Sequence, residues 1–374
     1  MIKKNPDNTS NLNPESLHLS PKSKIFIAGH NGMVGSAIWR NLESKGYNNI
    51  IGKSSKELDL RNQTQVETFF EKEKPEFVFL AAAKVGGILA NDTYRAQFIY
   101  ENLMIQNNLI HFAHVYGVKK FLFIGSSCIY PRDCPQPIKE EYLLTGPLEQ
   151  TNEPYAIAKI AGIKMCENYY RQYGSQFFSI MPTNTYGPND NYNLETSHVL
   201  PAMIRKIYLA KCLEDGDYNS IRHNLKTYLI SSDTPYNPNW SNEDLLDILN
   251  VYGININAQK IPIVTLWGTG KPLREFIHVD DLGLGALFVM NLEFDTLYKQ
   301  GFTHLNIGTG TEISIADLAK TITKIIGFNG EITYDTSKPD GTTRKLLDVS
   351  KSKDLGWESK ISIEEGIKNT HQGW

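Results

Sequence analysis

The chain has 374 residues, 38 Lys and Arg against 41 Asp and Glu, and a formal charge of −3. That length can bury a full core as one large domain or two moderate ones, and the near-neutral balance without a dense basic block excludes the electrostatic footprint of a nucleic-acid binder. The longest apolar stretch, residues 77–90, is cut by Lys84 and two glycines, the N-terminus lacks an apolar signal core, and Cys128, Cys134, Cys166 and Cys212 show no C-x-x-C spacing. A protein of the reducing cytoplasm is therefore expected, with no transmembrane segment and no metal site.

Residues 1–22, rich in Asn, Ser, Pro and Lys without periodicity, are expected to form a disordered leader. The organising stretch follows: KIFIAGHNGMVG, from Lys24 to Gly35. An apolar run (Ile25–Ala28) meets glycines spaced G-x-x-G-x-x-G (Gly29, Gly32, Gly35) and leads into a helical pattern, which reads as strand, tight turn, helix. Glycines suit a turn whose backbone angles a Cβ forbids, and they let the main-chain N–H groups of Asn31, Met33 and Val34 approach a pyrophosphate at the helix N-terminus.

Farther along, apolar runs at residues 50–51, 77–82 and 121–124 alternate with helical patterns at 66–73, 96–116 and 155–173, and another strand is expected near 178–181. This is a βαβα order, hence an α/β fold with a doubly wound, Rossmann-type parallel sheet. Residues 211–259 turn rich in Asn, Asp, Ser and Tyr and are expected to be an inserted surface excursion, partly helical at 244–250. Strands resume at 262–266 and 276–279, with a helix over 315–326 and a strand at 331–334. The expected division is a dinucleotide-binding domain over 23–186, with a returning segment near 262–295, and a smaller, mainly substrate-binding α/β domain over 187–374.

About twenty residues beyond the glycines an acidic side chain holds the ribose of NAD, whereas a basic group accommodates the 2′-phosphate of NADP. Here Lys53, Ser54, Ser55 and Lys56 follow the second strand, with no carboxylate before Glu57, which favours NADP. Asp59 and Leu60 follow, Asp59 either reaching the adenine or capping the next helix. The small residues of LAAAKVGG, Ala81 among them, allow the backbone to lie close to the cofactor.

Three downstream elements carry chemistry. GSSCIYP (Gly125–Pro131) follows a strand, so Ser126 and Cys128 emerge at the carboxyl end of the sheet, where open α/β folds bind ligands. NEPYAIAKIAG puts Tyr155 and Lys159 four apart, on one helix face, where an ammonium, with the positive nicotinamide ring of an oxidised cofactor, would stabilise a phenolate whose unperturbed pKa is about 10. The stretch from Pro182 to Ala202 carries His198 beyond another strand end; with Cys128 it supplies a thiol and an imidazole able to move protons α to a carbonyl.

On GHNGMVGSAI, LAAAKVGGI, GSSCIYP, TNEPYAIAKIAGIK, SHV-PA, WGTG-P-REF-HVDD and SKPDGT-RKLLDV, the chain resembles the GDP-4-keto-6-deoxymannose epimerase/reductases, the GDP-L-fucose synthase family of the extended short-chain dehydrogenases/reductases. The likeness runs from about Lys24 to the C-terminus except for residues 211–259. It implies that Cys128 and His198 epimerise C3 and C5 of the keto sugar. Tyr155 would then protonate O4 as NADPH reduces C4, with Ser126 on the same oxygen and Lys159 on the nicotinamide ribose. It further implies that Pro182, Thr183, Asn184 and Thr185 line the nicotinamide, that His198 also touches the cofactor, that Lys206, Trp267, Arg274 and Asp340 hold the GDP part, and that the enzyme is a homodimer packed through its two long helices. Asn31 and Ser55 stand where some members carry arginine. The rival readings are a sugar-nucleotide 4-epimerase or 4,6-dehydratase with bound NAD, and a non-catalytic NADP sensor.

Overall fold

The computed structural model describes residues 17–228, 236–338 and 340–371. Strand and helix alternate through β1 (Ile25–Ala28), α1 (Met33–Ser44), β2 (Ile50–Ile51), α2 (Gln63–Glu73), β3 (Phe77–Leu80), α3 (Ile88–Thr93), α4 (Arg95–Val115), β4 (Lys120–Ile124), α5 (Glu153–Tyr173) and β5 (Phe177–Pro182). There follow β6 (Asn184–Tyr186), α6 (Val199–Glu214), α7 (Tyr218–Thr227), α8 (Asn242–Val251), β7 (Ile254–Ile256), β8 (Pro262–Trp267), β9 (Leu273–Arg274) and β10 (Phe276–His278). The chain ends with α9 (Val279–Met290), α10 (Phe294–Lys299), β11 (Leu305–Ile307), β12 (Ile313–Ser314), α11 (Ile315–Ile326), β13 (Glu331–Asp335), β14 (Arg344–Lys345), α12 (Ser350–Asp354) and α13 (Ile363–His371).

The central sheet is parallel throughout, in the order β2-β1-β3-β4-β5-β11. Runs such as IFIA and FVFL are buried at every position, as strands covered by helices on both faces must be. Their side chains alternate between two apolar layers. Phe26, Val78, Leu80, Phe121 and Phe123 join the α2, α4 and α5 side, while Ile25, Ile27, Phe77, Phe79 and Leu122 join the α1 and α9 side. The order of strand addition reverses between β1 and β3, β2 lying on one side of β1 and β3 on the other, which opens a crevice at their carboxyl ends. Lys120, fully buried in β4, donates to the carbonyls of Met290 and Leu292 at the end of α9, a favourable place for a cation.

A third apolar cluster joins α6, α7, α8, β8 and α11. Residues 211–259 thus differ from the expected surface excursion. The first of them complete α6, Ile221, Leu225, Leu245 and Leu249 of α7 and α8 are buried in this cluster, and β7 pairs antiparallel with β8. The i, i+4 apolar pairs that drive this packing are diluted by polar neighbours, which hid them in the composition. Of the expected leader, residues 1–16 lie outside the described part; 17–22 touch the fold through a bond from Leu19 N to Asn291 and a His18–Glu293 contact at 3.1 Å.

Candidate active site

The Gly-rich turn closes the end of β1 for steric reasons. Gly29 has φ +87°, and a Cβ there would lie 2.7 Å from Ala82 N at the end of β3; at Gly35 it would lie 2.1 Å from Gly29 O. Gly32 caps α1 without a side chain, and no acidic residue occupies the first helical turn of Met33, Val34 and Gly35. A cradle that a Cβ would fill, backed by an uncapped helix N-terminus, fits a dinucleotide pyrophosphate.

At the end of β2, the space a Cβ of Gly52 would take is filled by the His30 imidazole at 2.4 Å. Lys53 lies 3.9 Å from Glu57, whose carboxylate accepts from Ser54 N at 2.8 Å and Ser54 Oγ at 2.7 Å, bonds that hold it below the usual carboxylate range. Ser55 is exposed. A carboxylate therefore does stand in this loop, folded back on its own turn. Asp59 does not cap α2; Asn62 does, while Asp59 forms a two-pronged pair with Arg61, at 2.9 and 3.1 Å. Leu60 packs against the sheet core, and Ala81 N extends the β1–β3 ladder to Ala28 O.

At the end of β4 the chain makes a single 3₁₀ turn over Ser127–Ile129. Ser126 Oγ accepts from Cys128 N at 3.3 Å, and the Cys128 thiol is buried beneath α5. Tyr155 and Lys159 sit one turn apart near the start of α5, which has Pro154 in its first turn. Lys159 Nζ donates to Ile124 O at 2.8 Å and stands 5.6 Å from the Tyr155 ring centre. Burial dominates both groups: it pushes the Tyr155 phenol well above its usual range, with Cys128 adding to the rise, and pulls Lys159 down to about 8. The expected acidification of the phenol by its neighbour is thus not what the protein alone produces. The lysine spends its proton on a carbonyl, and the phenol is held neutral.

His198 precedes α6 in a loop that crosses to the start of α3, where Gly87 N donates to Thr196 O at 2.9 Å. Burial, then the charge of Lys345, keep its imidazole below the usual value. Lys345 is also the leading charge on Cys128, whose thiol is raised by burial. Cys128 in turn adds to the rise of Tyr155 and opposes the fall of Lys159. Pro182 pairs with Ile307, and Thr183 Oγ1 and Asn184 Nδ2 both donate to Glu275 O, at 3.4 and 2.8 Å; Thr185 Oγ1 donates to Thr183 O.

Of the residues expected at the nucleotide part of the substrate, Trp267 is 65% exposed, with Lys338 Nζ 5.5 Å from its ring, leaving indole surface for stacking. Asp340 is committed to Thr269, accepting from its N at 2.8 Å and Oγ1 at 2.7 Å, and so shapes the turn beside Trp267. Arg274 is mostly buried and borders Gly341. Lys206 on α6, pulled down to about 8 by burial, has no bonded partner among the described residues. Sequence reasoning passed over Lys345, Glu275 and His30, although each stood inside a quoted motif. Their signal was a charged or titratable residue in an otherwise apolar or glycine-rich stretch.

Residues 25–225 match the NAD dependent epimerase/dehydratase family. "Putative GDP-L-fucose synthase 2" of Arabidopsis thaliana is 47% identical, over 98% of this chain and 96% of that protein. "GDP-L-fucose synthase" of Escherichia coli (strain K12) is 45% identical, over 94% and 96% respectively. Among solved structures, a GDP-D-glycero-L-gluco-heptose synthase from Campylobacter jejuni, in the presence of NADPH, superposes with a TM-score of 0.86 at 43% identity, covering 95% of this chain and 99% of that one. With a Gly-rich β1–α1 turn at the switch point of a parallel sheet and a Tyr-x-x-x-Lys helix beside it, the chain belongs to the NAD dependent epimerase/dehydratase family.

Proposed function

We propose that this chain converts GDP-4-keto-6-deoxy-D-mannose to GDP-L-fucose in two steps at one site: epimerisation at C3 and C5, then NADPH-dependent reduction at C4. The observation that carries this reading is the buried Cys128 thiol within the electrostatic reach of both Tyr155 and Lys159, since reduction alone needs no thiol there. The curated relatives named as synthases support it.

Gly29, Gly32, Gly35 and the N-terminal N–H groups of α1 would hold the pyrophosphate of NADP, and Lys53 its 2′-phosphate. Bound NADPH supplies hydride to C4. The chain's own residues do the rest. Cys128 and His198 exchange protons at C3 and C5, while Ser126 and Tyr155 donate to O4 and stabilise the enolate that each exchange creates. A phenol held neutral by burial is in the correct state to give O4 its proton during reduction. Lys159 fixes the end of β4 and the nicotinamide ribose. Lys206 and Arg274 suit the diphosphate, and Trp267 suits the base.

We further infer a cytoplasmic homodimer packed through α4 and α5, whose Tyr100, Ile157 and Tyr173 are exposed. The division into a nucleotide domain over 23–186 and a substrate domain over 187–374 belongs to the same proposal. The test is incubation in deuterated water with GDP-4-keto-6-deoxymannose and NADPH or NADH, with the product sugar identified. Deuterium at C3 and C5 of an L-sugar is expected, with NADPH preferred. A D-configured product would favour a reductase without epimerisation. That second reading has behind it the likeness to a GDP-mannoheptose C4 reductase from Campylobacter jejuni, 43% identical, and offering a GDP-4-keto-heptose in parallel distinguishes the two.

A further inference from the structure

We propose that Lys345 is a positioning residue of the epimerisation half-reaction: its side chain lines one pocket with Cys128, and its ammonium sets the charge around the Cys128–His198 pair. This rests on the two-step reading above. Register places it. Lys345 in β14 is the direct partner of Arg274 in β9, so the two side chains share a face, while Arg344, which also borders the pocket, is held by Glu312 at 2.8 and 3.0 Å. Lys345 and Cys128 line one pocket together with Gln136, Glu149 and Asn152.

The backbone around Lys345 is clamped from two sides. Leu346 N donates to Gln136 Oε1 at 2.9 Å and Leu346 O accepts from Ile138 N at 2.7 Å, while Leu347 N donates to the buried Glu275 carboxylate at 2.9 Å. The ammonium itself has no hydrogen-bond or ion-pair partner among the described residues. An unpaired cation on a rigid strand, in a pocket walled by a thiol, is costly to maintain unless its charge is used.

The chemistry balances without any co-reactant. A proton leaves C3 or C5 for one member of the Cys128–His198 pair, the C–H electrons pass into the enolate of the C4 ketone, and the other member returns a proton to the opposite face. A neighbouring positive charge lowers the proton affinity of both, so the acceptor begins as a base and the donor releases its proton more readily. Cys128 also faces Tyr155 and Lys159 from α5, while Arg274 from β9 faces Lys345. Glu149, Arg132 and Cys134 approach from the loop after the thiol. All of these remain when Lys345 alone is changed.

The experiment compares the full chain with Lys345→Met and Lys345→Arg, using GDP-4-keto-6-deoxymannose and NADPH in deuterated water from pH 6 to 9. In Lys345→Met, deuterium uptake at C3 and C5 relative to reduction should fall about tenfold, and the acid limb of uptake should move about one pH unit higher. Lys345→Arg should restore the limb. A raised KM for the GDP-sugar with an unmoved limb would make Lys345 a diphosphate holder and overturn the inference. Uptake in the wild type that Lys345→Met matches overturns this inference alone, whereas no uptake in the wild type overturns the two-step reading and this with it.

Discussion

Lys159 Nζ donates to the carbonyl oxygen of Ile124 at 2.8 Å, tying the reactive face of α5 to the last residue of β4, two positions before Ser126. The bond fixes how the helix bearing Tyr155 meets the strand end bearing Ser126 and Cys128. Because the lysine is buried among Phe123, Tyr155 and this carbonyl, its charge is easily lost.

The pH dependence of reduction follows from that burial. Lys159 falls from the ordinary lysine value to about 8, so the ammonium is present below pH 8 and lost as pH rises through it. The kcat for NADPH oxidation should decline above about pH 8, and Lys159→Met should lower kcat by about 10²-fold or more and remove that limb. A pH-rate series on both proteins checks this; a limb retained in the variant would assign it to another group.

Cofactor choice should depend on the Lys53–Glu57 loop. Lys53→Ala is expected to weaken NADPH about tenfold and leave NADH unchanged, since only the former has a 2′-phosphate. Glu57→Gln, which removes the negative charge 3.9 Å from Lys53, should tighten NADPH. Titration of NADPH fluorescence reads both.

The parallel sheet and its Gly-rich turn were legible because short runs such as IFIA and FVFL are apolar without interruption and end in glycine or alanine. The places of Ser126, Cys128, Tyr155 and His198 were legible because each lies at a strand end or helix start, which apolar runs and helical spacing mark in the sequence. Lys345 was not, because its place beside Cys128 depends on a β9–β14 pairing between two-residue strands whose partners are 71 positions apart. The state of Tyr155 in the protein alone was not legible for a similar reason. Spacing reveals a nearby amine but not the depth of burial that raises the phenol.

Asp190 should make stability fall with rising pH. Burial lifts its carboxyl from 3.8 to about 7, with one oxygen accepting from Asn191 N and the other buried without a partner among the described residues. A carboxyl whose folded value lies above its unfolded one costs nothing below pH 3.8. The penalty then grows as pH rises and is complete above 7, at a few kcal/mol. Asp190→Asn should therefore raise Tm by a few degrees at pH 8 and scarcely at pH 4, by thermal melts at both values.

Arg205 joins residues 211–259 to the helix that bears Lys206. It is fully buried, and its guanidinium donates to Asn224 Oδ1 at 2.9 Å, Tyr192 O at 2.8 Å and Tyr228 O, stacking 5.6 Å from the Tyr228 ring. None of these acceptors is charged. Burial lowers the group only to about 10, so it carries its charge at neutral pH and depends on them for solvation. Asn224→Leu would strip one acceptor from a buried cation and should cost about 3 kcal/mol in chemical denaturation. Adding Arg205→Met removes the cation that needed solvating, so the double variant should be more stable than Asn224→Leu alone, a sign that ordinary additive damage cannot produce. The same single change should raise KM for the GDP-sugar, because Lys206 follows Arg205 on α6; equal stability of the single and double variants would show that α7 does not solvate this charge.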